Sequence, residues 1–498
     1  MIPRRALLAS AGLAPAMARP SLAQGRLATL ETKLDDTLAP GLRSATLIRW
    51  GDRVEFDAPP FTPLTPTEDA AVAQFGWDGR LVALVAPPQA ADGVARAVAV
   101  VAHPSVDAAM AFPAGQDRPA IALAMQGASI LNLASQGGRW VIVDGGFQTR
   151  RLHGRSLCRV TGPARATLGD GVQGVLGPRG GCVTPWGTVL LTEGDPAPWM
   201  PRLRAAGHPA REGAFGWVVE LDPLDPQSVP AKRTALGRLA AGDAAAAVTG
   251  DGRAVVYLTG RRGGGGLYRF ISDDPAGADA LDAGRLFAAR IEGESLQWVP
   301  VADGARPAGG SPLPVPAGLA VDGRAQRLYL ALRGGGGRIL EIVPAAADHG
   351  ADTAVVQTLL LGRPALPLPE ANARARPSPA LAWPDAPETL WADGRGRLFI
   401  GTDREGRVAA IPDALYACTV EGAERGRPFP VYGAPQGAGI GGAMLTPDGR
   451  ALLVMVRHPG AEPGASWDRP GTTWPEFMPG TPPRSTVLLI AREDGRAL

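Results

Sequence analysis

The chain has 498 residues, and its 50 basic and 48 acidic side chains almost balance. This balance excludes the broad basic field that nucleic-acid-binding proteins carry. The 66 glycines and 49 prolines favour a fold with many turns over a helical one. Three cysteines, Cys158, Cys182 and Cys418, exclude a disulfide framework.

The N-terminus predicts an export signal. Arg4 and Arg5 precede a moderately apolar stretch at residues 6–18, and the small residues at 21–23 offer a cleavage site. The paired arginines indicate recognition by the twin-arginine export machinery, and the alternative is a Sec signal that carries two arginines. No later apolar run is long enough to span a membrane. We expect residues 1–23 to be removed and the mature chain to be periplasmic or secreted.

A turn signal followed by a short run of β-forming residues recurs along the chain. Asp-Gly pairs precede such runs at residues 78–79, 251–252, 322–323, 393–394 and 448–449. Asp-Gly suits a tight hairpin, because Gly adopts the left-handed conformation that the turn requires. The run at residues 254–258 is typical, since it is too short for a helix and rich in β-branched residues.

Several of these runs continue through a Gly-rich link into a second strand, as at residues 255–272 and 328–344. A repeated strand–turn–strand unit at wide, uneven spacing predicts an all-β fold, specifically a β-propeller with insertions between its strands. A β-sandwich or two smaller β domains are the alternatives. We expect one domain from residue 24 to residue 498. Helix signals are scarce, and short helices are expected near residues 67–75 and 105–112.

Five segments occur in an order that is characteristic of one protein family. They are "GGRWVIVDGG" (137–146), "TPWGT" (184–188), "FGWVVELDPLDPQSVPAKRTALGR" (215–238), "PETLWADGRGRLFIGTD" (387–403) and "LTPDGRALLVMVRHPG" (445–460). In these segments the chain resembles the PhoX-type alkaline phosphatases, a bacterial family exported by the twin-arginine route. The resemblance implies a six-bladed propeller that holds calcium and iron ions at one mouth and hydrolyses phosphomonoesters there.

The resemblance also implies candidate site residues. Glu193, Glu388 and Asp403 are candidate metal ligands, because carboxylates that converge hold hard cations. Arg150 and Arg151 are candidate phosphate-binding residues, because guanidinium groups match phosphate oxygens. The sequence contains no recognisable Ser–His–Asp set and no zinc-type pair of histidines, so the catalytic residues are not assigned.

The chain departs from the family at several expected ligand positions. Cys182 lies three residues after the position of the family's metal-binding cysteine, and Gly194 stands where the family has a second Glu after Glu193. Arg261 and Arg262 replace an acidic turn, and an arginine in that place repels a cation. The alternative is therefore a relative that has lost catalysis and binds an anionic small molecule through an Arg-lined mouth. In either case we favour a monomer.

Overall fold

β-Strands form most of the structure, and helices are confined to short connections. A computed structural model describes residues 27, 30–207, 209, 211–261, 265–301, 310–362, 383–405 and 411–498. Five α-helices occur in these ranges: α1 (Glu68–Ala73), α2 (Ala108–Ala111), α3 (Pro119–Met125), α4 (Arg165–Leu168) and α5 (Met200–Ala205). The two predicted helices are thus present as α1 and α2. None of the described helices is both long and apolar enough to cross a bilayer, and the predicted signal at residues 1–23 lies outside the described ranges.

The strands follow one another along the whole described chain. In order they are β1 (Thr37–Leu38), β2 (Leu42–Arg49), β3 (Arg80–Val85), β4 (Arg96–His103), β5 (Gly127–Gln136), β6 (Arg139–Ile142), β7 (Arg150–Leu152), β8 (Leu157–Thr161), β9 (Gly171–Gln173), β10 (Pro178–Val183), β11 (Val189–Glu193), β12 (Val218–Leu221), β13 (Ala231–Arg233), β14 (Ala241–Val248), β15 (Arg253–Gly260), β16 (Gly266–Pro275), β17 (Gly284–Glu292), β18 (Ser295–Pro300), β19 (Pro316–Asp322), β20 (Arg327–Leu332), β21 (Arg338–Pro344), β22 (Thr353–Leu361), β23 (Pro387–Ala392), β24 (Arg397–Thr402), β25 (Ala414–Thr419), β26 (Pro428–Gly433), β27 (Gly439–Leu445), β28 (Ala451–Arg457) and β29 (Thr486–Arg492).

Pairing of neighbouring strands, almost always antiparallel, gathers them into sheets that we number as blades. Blade 1 is β3–β7, and blade 2 is β10–β13 extended by β8 and β9. A nine-stranded sheet contains blade 3 (β14–β18) and blade 4 (β19–β22), which are joined because β18 pairs with β22. Blade 5 is β23–β26 with β1, and blade 6 is β27–β29 with β2.

The first strands of the blades form a closed cycle. Each of β3, β10, β14, β19, β23 and β27 contacts the next strand in this order, and β27 contacts β3. A cycle of first strands around a central axis is the arrangement of a β-propeller. The predicted all-β propeller is confirmed, and we infer its six blades from this cycle.

Most of the predicted Asp-Gly turns join a first strand to a second strand. Gly252, between β14 and β15, has φ +88°, and Gly449, between β27 and β28, has φ +66°. Only glycine adopts this left-handed region without strain. The pair Asp78–Gly79 differs, because it precedes the first strand β3 and so lies at the opposite edge of its sheet.

Apolar side chains pack between adjacent blades. Val100 and Ile130 of blade 1 belong to the same buried cluster as Val189, Leu191 and Val219 of blade 2. Alternate residues of a strand point to opposite faces, so a sheet between two neighbours must bury both faces. This explains the nearly continuous apolar runs of the second strands, such as β15 and β28, which are buried along almost their full length.

The ring is closed by a strand from near the N-terminus. The strand β2 pairs with β29 and so completes blade 6, which is otherwise built from the C-terminal part of the chain. Ile48 of β2 is 1% exposed and packs with Leu453 and Val487. Thr46 on the same strand is exposed.

We predict that Ile48→Ala lowers the free energy of unfolding by about 2–5 kcal/mol, because it leaves a cavity at this closure. Thr46→Ala, the control, should change the free energy by about 0.5 kcal/mol or less. Urea unfolding followed by tryptophan fluorescence measures both. Equal stability of the two variants would contradict the closure by β2.

Candidate functional site

One edge of the ring brings together residues from all six blades. In each blade the start of the first strand pairs with the end of the second strand, because the two run antiparallel. The paired residues are Arg80 and Ala102, Pro178 and Glu193, Ala241 and Gly260, Pro316 and Leu332, Pro387 and Thr402, and Gly439 and Arg457. We call this edge, with the residues next to these pairs, the mouth.

Arg457 links three blades at the mouth. Its guanidinium donates two hydrogen bonds to Asp78, at 2.9 and 2.6 Å, and one of 2.8 Å to Asp403. His458 Nε2 lies 3.2 Å from the same Asp403 carboxylate. Although burial alone raises the pKa of Asp78, the charge of Arg457 holds that pKa below its usual value. Likewise the pKa of Asp403 is held low by His458 and Arg457 against the effect of burial.

A second chain of ion pairs crosses the mouth through two further arginines. Arg80 Nη2 lies 2.5 Å from Asp243, and its Nη1 lies 3.6 Å from Glu388. Arg333 Nη1 lies 3.1 Å from Glu388 Oε2 and 2.7 Å from Glu405. The alternation of charges lets each buried carboxylate face a cation, which offsets the cost of removing both from water.

The two chains of ion pairs form one network. Arg333 Nη2 donates a hydrogen bond of 2.9 Å to the backbone carbonyl of Asp403. Asp243 accepts from the backbone N–H groups of Gly181 in blade 2 and Leu319 in blade 4. Since Asp243 itself belongs to blade 3, this carboxylate fixes three adjacent first strands to one another.

Two arginines of the mouth stand outside this network. Arg179 lies at the start of β10, and Arg261 follows the end of β15 in the next blade. Neither guanidinium makes a hydrogen bond or ion pair to any residue of the described ranges. Burial lowers the pKa of Arg179, and the positive charges of Arg261 and Arg457 lower it further, while Glu388 and Glu405 oppose the shift.

Glu193, a predicted metal ligand, does not offer free oxygen atoms to the mouth. Its carboxylate is fully buried and lies 2.8 and 2.9 Å from Lys232 Nζ. It also accepts from the backbone N–H groups of Leu176, Gly216 and Trp217. These donors satisfy both carboxylate oxygens, so the role of Glu193 is to stabilise the interior of blade 2.

Glu388 and Asp403, the other two predicted ligands, do lie at the mouth. Arg457 and His458 contact the Asp403 carboxylate, and Arg80 and Arg333 lie 3.6 and 3.1 Å from the Glu388 carboxylate. In the described ranges no three His, Cys, Asp or Glu side chains gather in a way that could hold a metal ion. Calcium takes six or more oxygen ligands, and iron sites also need several converging donors. The donors of this arrangement therefore do not fit the predicted calcium and iron ions.

Arg150 and Arg151, the predicted phosphate-binding residues, belong to the outer strand β7. Arg150 donates to the carbonyls of Asp222 and Asp225. Arg151 is buried and donates to three backbone carbonyls at residues 124–126. Burial lowers the pKa of Arg151 to about 9. Because carbonyls occupy these guanidinium groups, the structure does not bring them to the mouth as free donors.

Other residues of the sequence motifs have structural roles. His103 at the end of β4 is buried between the Asp78 carbonyl, 2.6 Å from Nδ1, and the Ser129 hydroxyl, 2.8 Å from Nε2. Burial lowers the pKa of His103 well below its usual value, so its ring stays neutral. Trp186 of the "TPWGT" motif donates to Glu220, and Cys182, like the other two cysteines, is a free thiol.

Sequence reasoning missed Asp78, Asp243, Arg80, Arg333 and Arg457. All five stand close to the start of a first strand or the end of a second strand, and Arg333 directly follows the second strand β20. The sequence signal that could have found them is therefore the position of each residue within the repeated blade. That position can be read only when the strand boundaries are known, and Asp-Gly turns alone do not provide them.

The cyclic sheet arrangement and its ionisable mouth define a β-propeller with a polar central site. The family model "Alkaline phosphatase PhoX" matches residues 26–326 and 332–460. The chain belongs to the PhoX alkaline phosphatase family.

One solved structure agrees with this assignment. The PhoX of Pseudomonas fluorescens, solved in complex with vanadate, a transition state analogue, is 25% identical with a TM-score of 0.81, and the match covers 95% of this chain and 99% of that one. A gluconolactonase from Xanthomonas campestris is 11% identical with a TM-score of 0.34, covering 88% of this chain and 99% of that one, and supports no functional argument. No curated protein sequence matches the chain.

We predict that Lys232→Met lowers the free energy of unfolding by about 3–5 kcal/mol, because it leaves the buried Glu193 carboxylate without its cation. Lys33→Met is the matched control, since Lys33 is exposed, and it should cost about 0.5 kcal/mol or less. Denaturant titration measures both values. A Lys232→Met variant as stable as the control would contradict the structural role of Glu193.

Proposed function

We propose that this chain hydrolyses phosphomonoesters and that the phosphoryl group binds at the mouth. The observation that carries the proposal is the match to the PhoX alkaline phosphatase family over most of the chain. The similarity to a PhoX structure that holds vanadate as a transition state analogue supports it. The excess of guanidinium groups at the mouth suits a phosphoryl group, because arginine neutralises and orients phosphate oxygens.

Glu388 is the carboxylate that we assign to the attacking water. Its Oε2 lies 3.1 Å from Arg333 Nη1 but accepts no hydrogen bond in the described structure. A buried carboxylate oxygen that lacks a hydrogen-bond donor costs free energy. Oε2 of Glu388 can therefore accept a hydrogen bond from a water molecule. In this assignment Arg80 and Arg333 hold Glu388 in place. The water hydrogen-bonded to Oε2 passes a proton to Glu388 and attacks phosphorus, while the P–O ester bond breaks and the alcohol leaves with a proton.

The PhoX family is metal-dependent, and the resemblance in the sequence extends this dependence to calcium and iron. The donors at the mouth do not fit these ions as arranged, so no step of the reaction is assigned to a metal here. The family resemblance predicts calcium and iron, whereas the arginine-paired carboxylates of the mouth predict neither, and metal analysis of the purified protein decides between the two.

The proposal includes export from a bacterial cell. Residues 1–23, with Arg4 and Arg5, would direct a folded protein to the twin-arginine machinery. The mature domain from residue 24 to residue 498 would then act on a small phosphorylated substrate in the periplasm or outside the cell, and we propose that it does so as a monomer.

A chromogenic phosphomonoester such as p-nitrophenyl phosphate tests the activity directly. We expect turnover by the purified mature chain, measured as purified, after chelation, and after addition of calcium or iron. Loss on chelation and recovery with either metal would support the predicted cofactors. Absence of turnover under every metal condition would contradict hydrolysis and leave the non-catalytic anion binder as the function.

We predict that Glu388→Gln lowers kcat by about 10²- to 10⁴-fold, as expected when an enzyme loses a group that accepts a proton or orients water. Glu294→Gln is the control, because Glu294 is exposed on the outer part of blade 3. Steady-state kinetics of both variants, with their melting temperatures, provide the measurement. An unchanged kcat in a folded Glu388→Gln variant would remove Glu388 from the reaction.

A further inference from the structure

Five carboxylates of the mouth, those of Asp78, Asp243, Glu388, Asp403 and Glu405, lie in ion pairs with Arg80, Arg333 or Arg457. Arg457 pairs with Asp78 and Asp403, and Arg80 pairs with Asp243. In addition, Glu388 is shared between Arg80 and Arg333, and Glu405 pairs with Arg333. Arg179 and Arg261 form no ion pair within the described ranges. The longer-range charges of Glu388 and Glu405 act on Arg179, and that of Glu405 also acts on Arg261.

A glycine directly after the neighbouring strand β11 leaves room for the Arg179 side chain. A Cβ atom added at Gly194 would lie 2.8 Å from Arg179 Nε and 3.2 Å from its Cδ. Gly194 does not have a positive φ, so its backbone does not require glycine. The absence of a side chain at residue 194 therefore serves to make room for Arg179 at the mouth.

Arg179 combines two properties that seldom occur together in a structural arginine. Its side chain is exposed to solvent, and yet burial is the main cause of the lowering of its pKa. Both are expected of a group that lies in a concave opening, surrounded by protein but reached by water. The nearby charge of Arg261 on the adjacent blade repels Arg179, and the charges of Glu388 and Glu405 offset part of this repulsion without forming an ion pair with Arg179.

Two neighbouring guanidinium groups that make no hydrogen bond or ion pair within the described ranges keep their N–H donors available for an anion, and arginine matches phosphate oxygens in a bidentate manner. We propose that Arg179 and Arg261 form a guanidinium site that binds the oxygens of a phosphate group without a divalent cation. The site rests on the proposed function and deepens it, because it names the groups that receive the phosphoryl oxygens. It also accounts for the lack of a metal-ligand cluster among the described residues of the mouth, because the guanidinium groups would repel a cation there.

A structural role for Arg179 gives the opposite expectation for stability. A structural arginine makes hydrogen bonds whose loss lowers the melting temperature. Arg179 makes none in the described ranges, and its removal relieves repulsion with Arg261 and Arg457 while it removes attraction to Glu388 and Glu405. Arg179→Ala should therefore melt close to the wild-type temperature while it loses affinity for phosphate.

The test is calorimetric titration of inorganic phosphate into protein that has been exhaustively chelated and shown to be metal-free by elemental analysis. We expect the wild-type chain to bind phosphate, and Arg179→Ala and Arg261→Ala each to bind it about 10- to 100-fold more weakly, as expected for loss of a charge-assisted hydrogen bond. Arg290→Ala is the matched control, because Arg290 is exposed on β17 of the same blade as Arg261. Its affinity should equal that of the wild type.

Three results would overturn the proposal: no phosphate binding by the metal-free chain, binding that arises only after calcium or iron is added, or equal affinity in Arg179→Ala and Arg290→Ala. Assays of p-nitrophenyl phosphate on the same preparations separate this proposal from hydrolysis. Metal-free binding without turnover in any condition would refute hydrolysis and keep the arginine site. Turnover with metal and no metal-free binding would refute the arginine site and keep hydrolysis.

Discussion

The ion pairs between guanidinium and carboxylate groups at the mouth are the interaction on which the rest of the structure depends. Arg457 of blade 6 binds Asp78 ahead of blade 1 and Asp403 of blade 5, so one side chain joins three blades. Asp243 similarly joins the first strands of blades 2, 3 and 4. A propeller needs its first strands fixed around an axis where few apolar side chains fit, and these pairs supply the contacts. Each is costly to break because the partner would be left charged and buried.

The same pairs determine what the site can bind. A carboxylate that already faces an arginine must release it before it can ligate a cation, and the released guanidinium would then repel that cation. An oxyanion meets no such obstacle, because Arg179 and Arg261 form no hydrogen bond or ion pair with the residues that the structure describes. The chain thus keeps the fold of its family, and we propose that its mouth is arranged for anions.

The sequence predicted the architecture better than the site, for a physical reason. Turns such as Asp251–Gly252 and the β-branched runs after them are local signals, and they are sufficient to predict a β-propeller. The role of Glu193 depends on Lys232, which is 39 residues later in the chain and meets it only after blade 2 has folded. Asp78 shares the Asp-Gly motif of the outer turns yet lies at the mouth, because its motif precedes a first strand. The fit of Arg179 beside Gly194 likewise exists only in three dimensions.

The most direct test of the central claim is a crystal structure of the mature chain with vanadate or phosphate, combined with anomalous scattering at the iron edge. The account predicts oxyanion oxygens about 2.7–2.9 Å from guanidinium nitrogens of Arg179 and Arg261, with no anomalous peak at the mouth. Iron or calcium bound by Glu388 and Asp403, with the arginines turned away from these carboxylates, would contradict it.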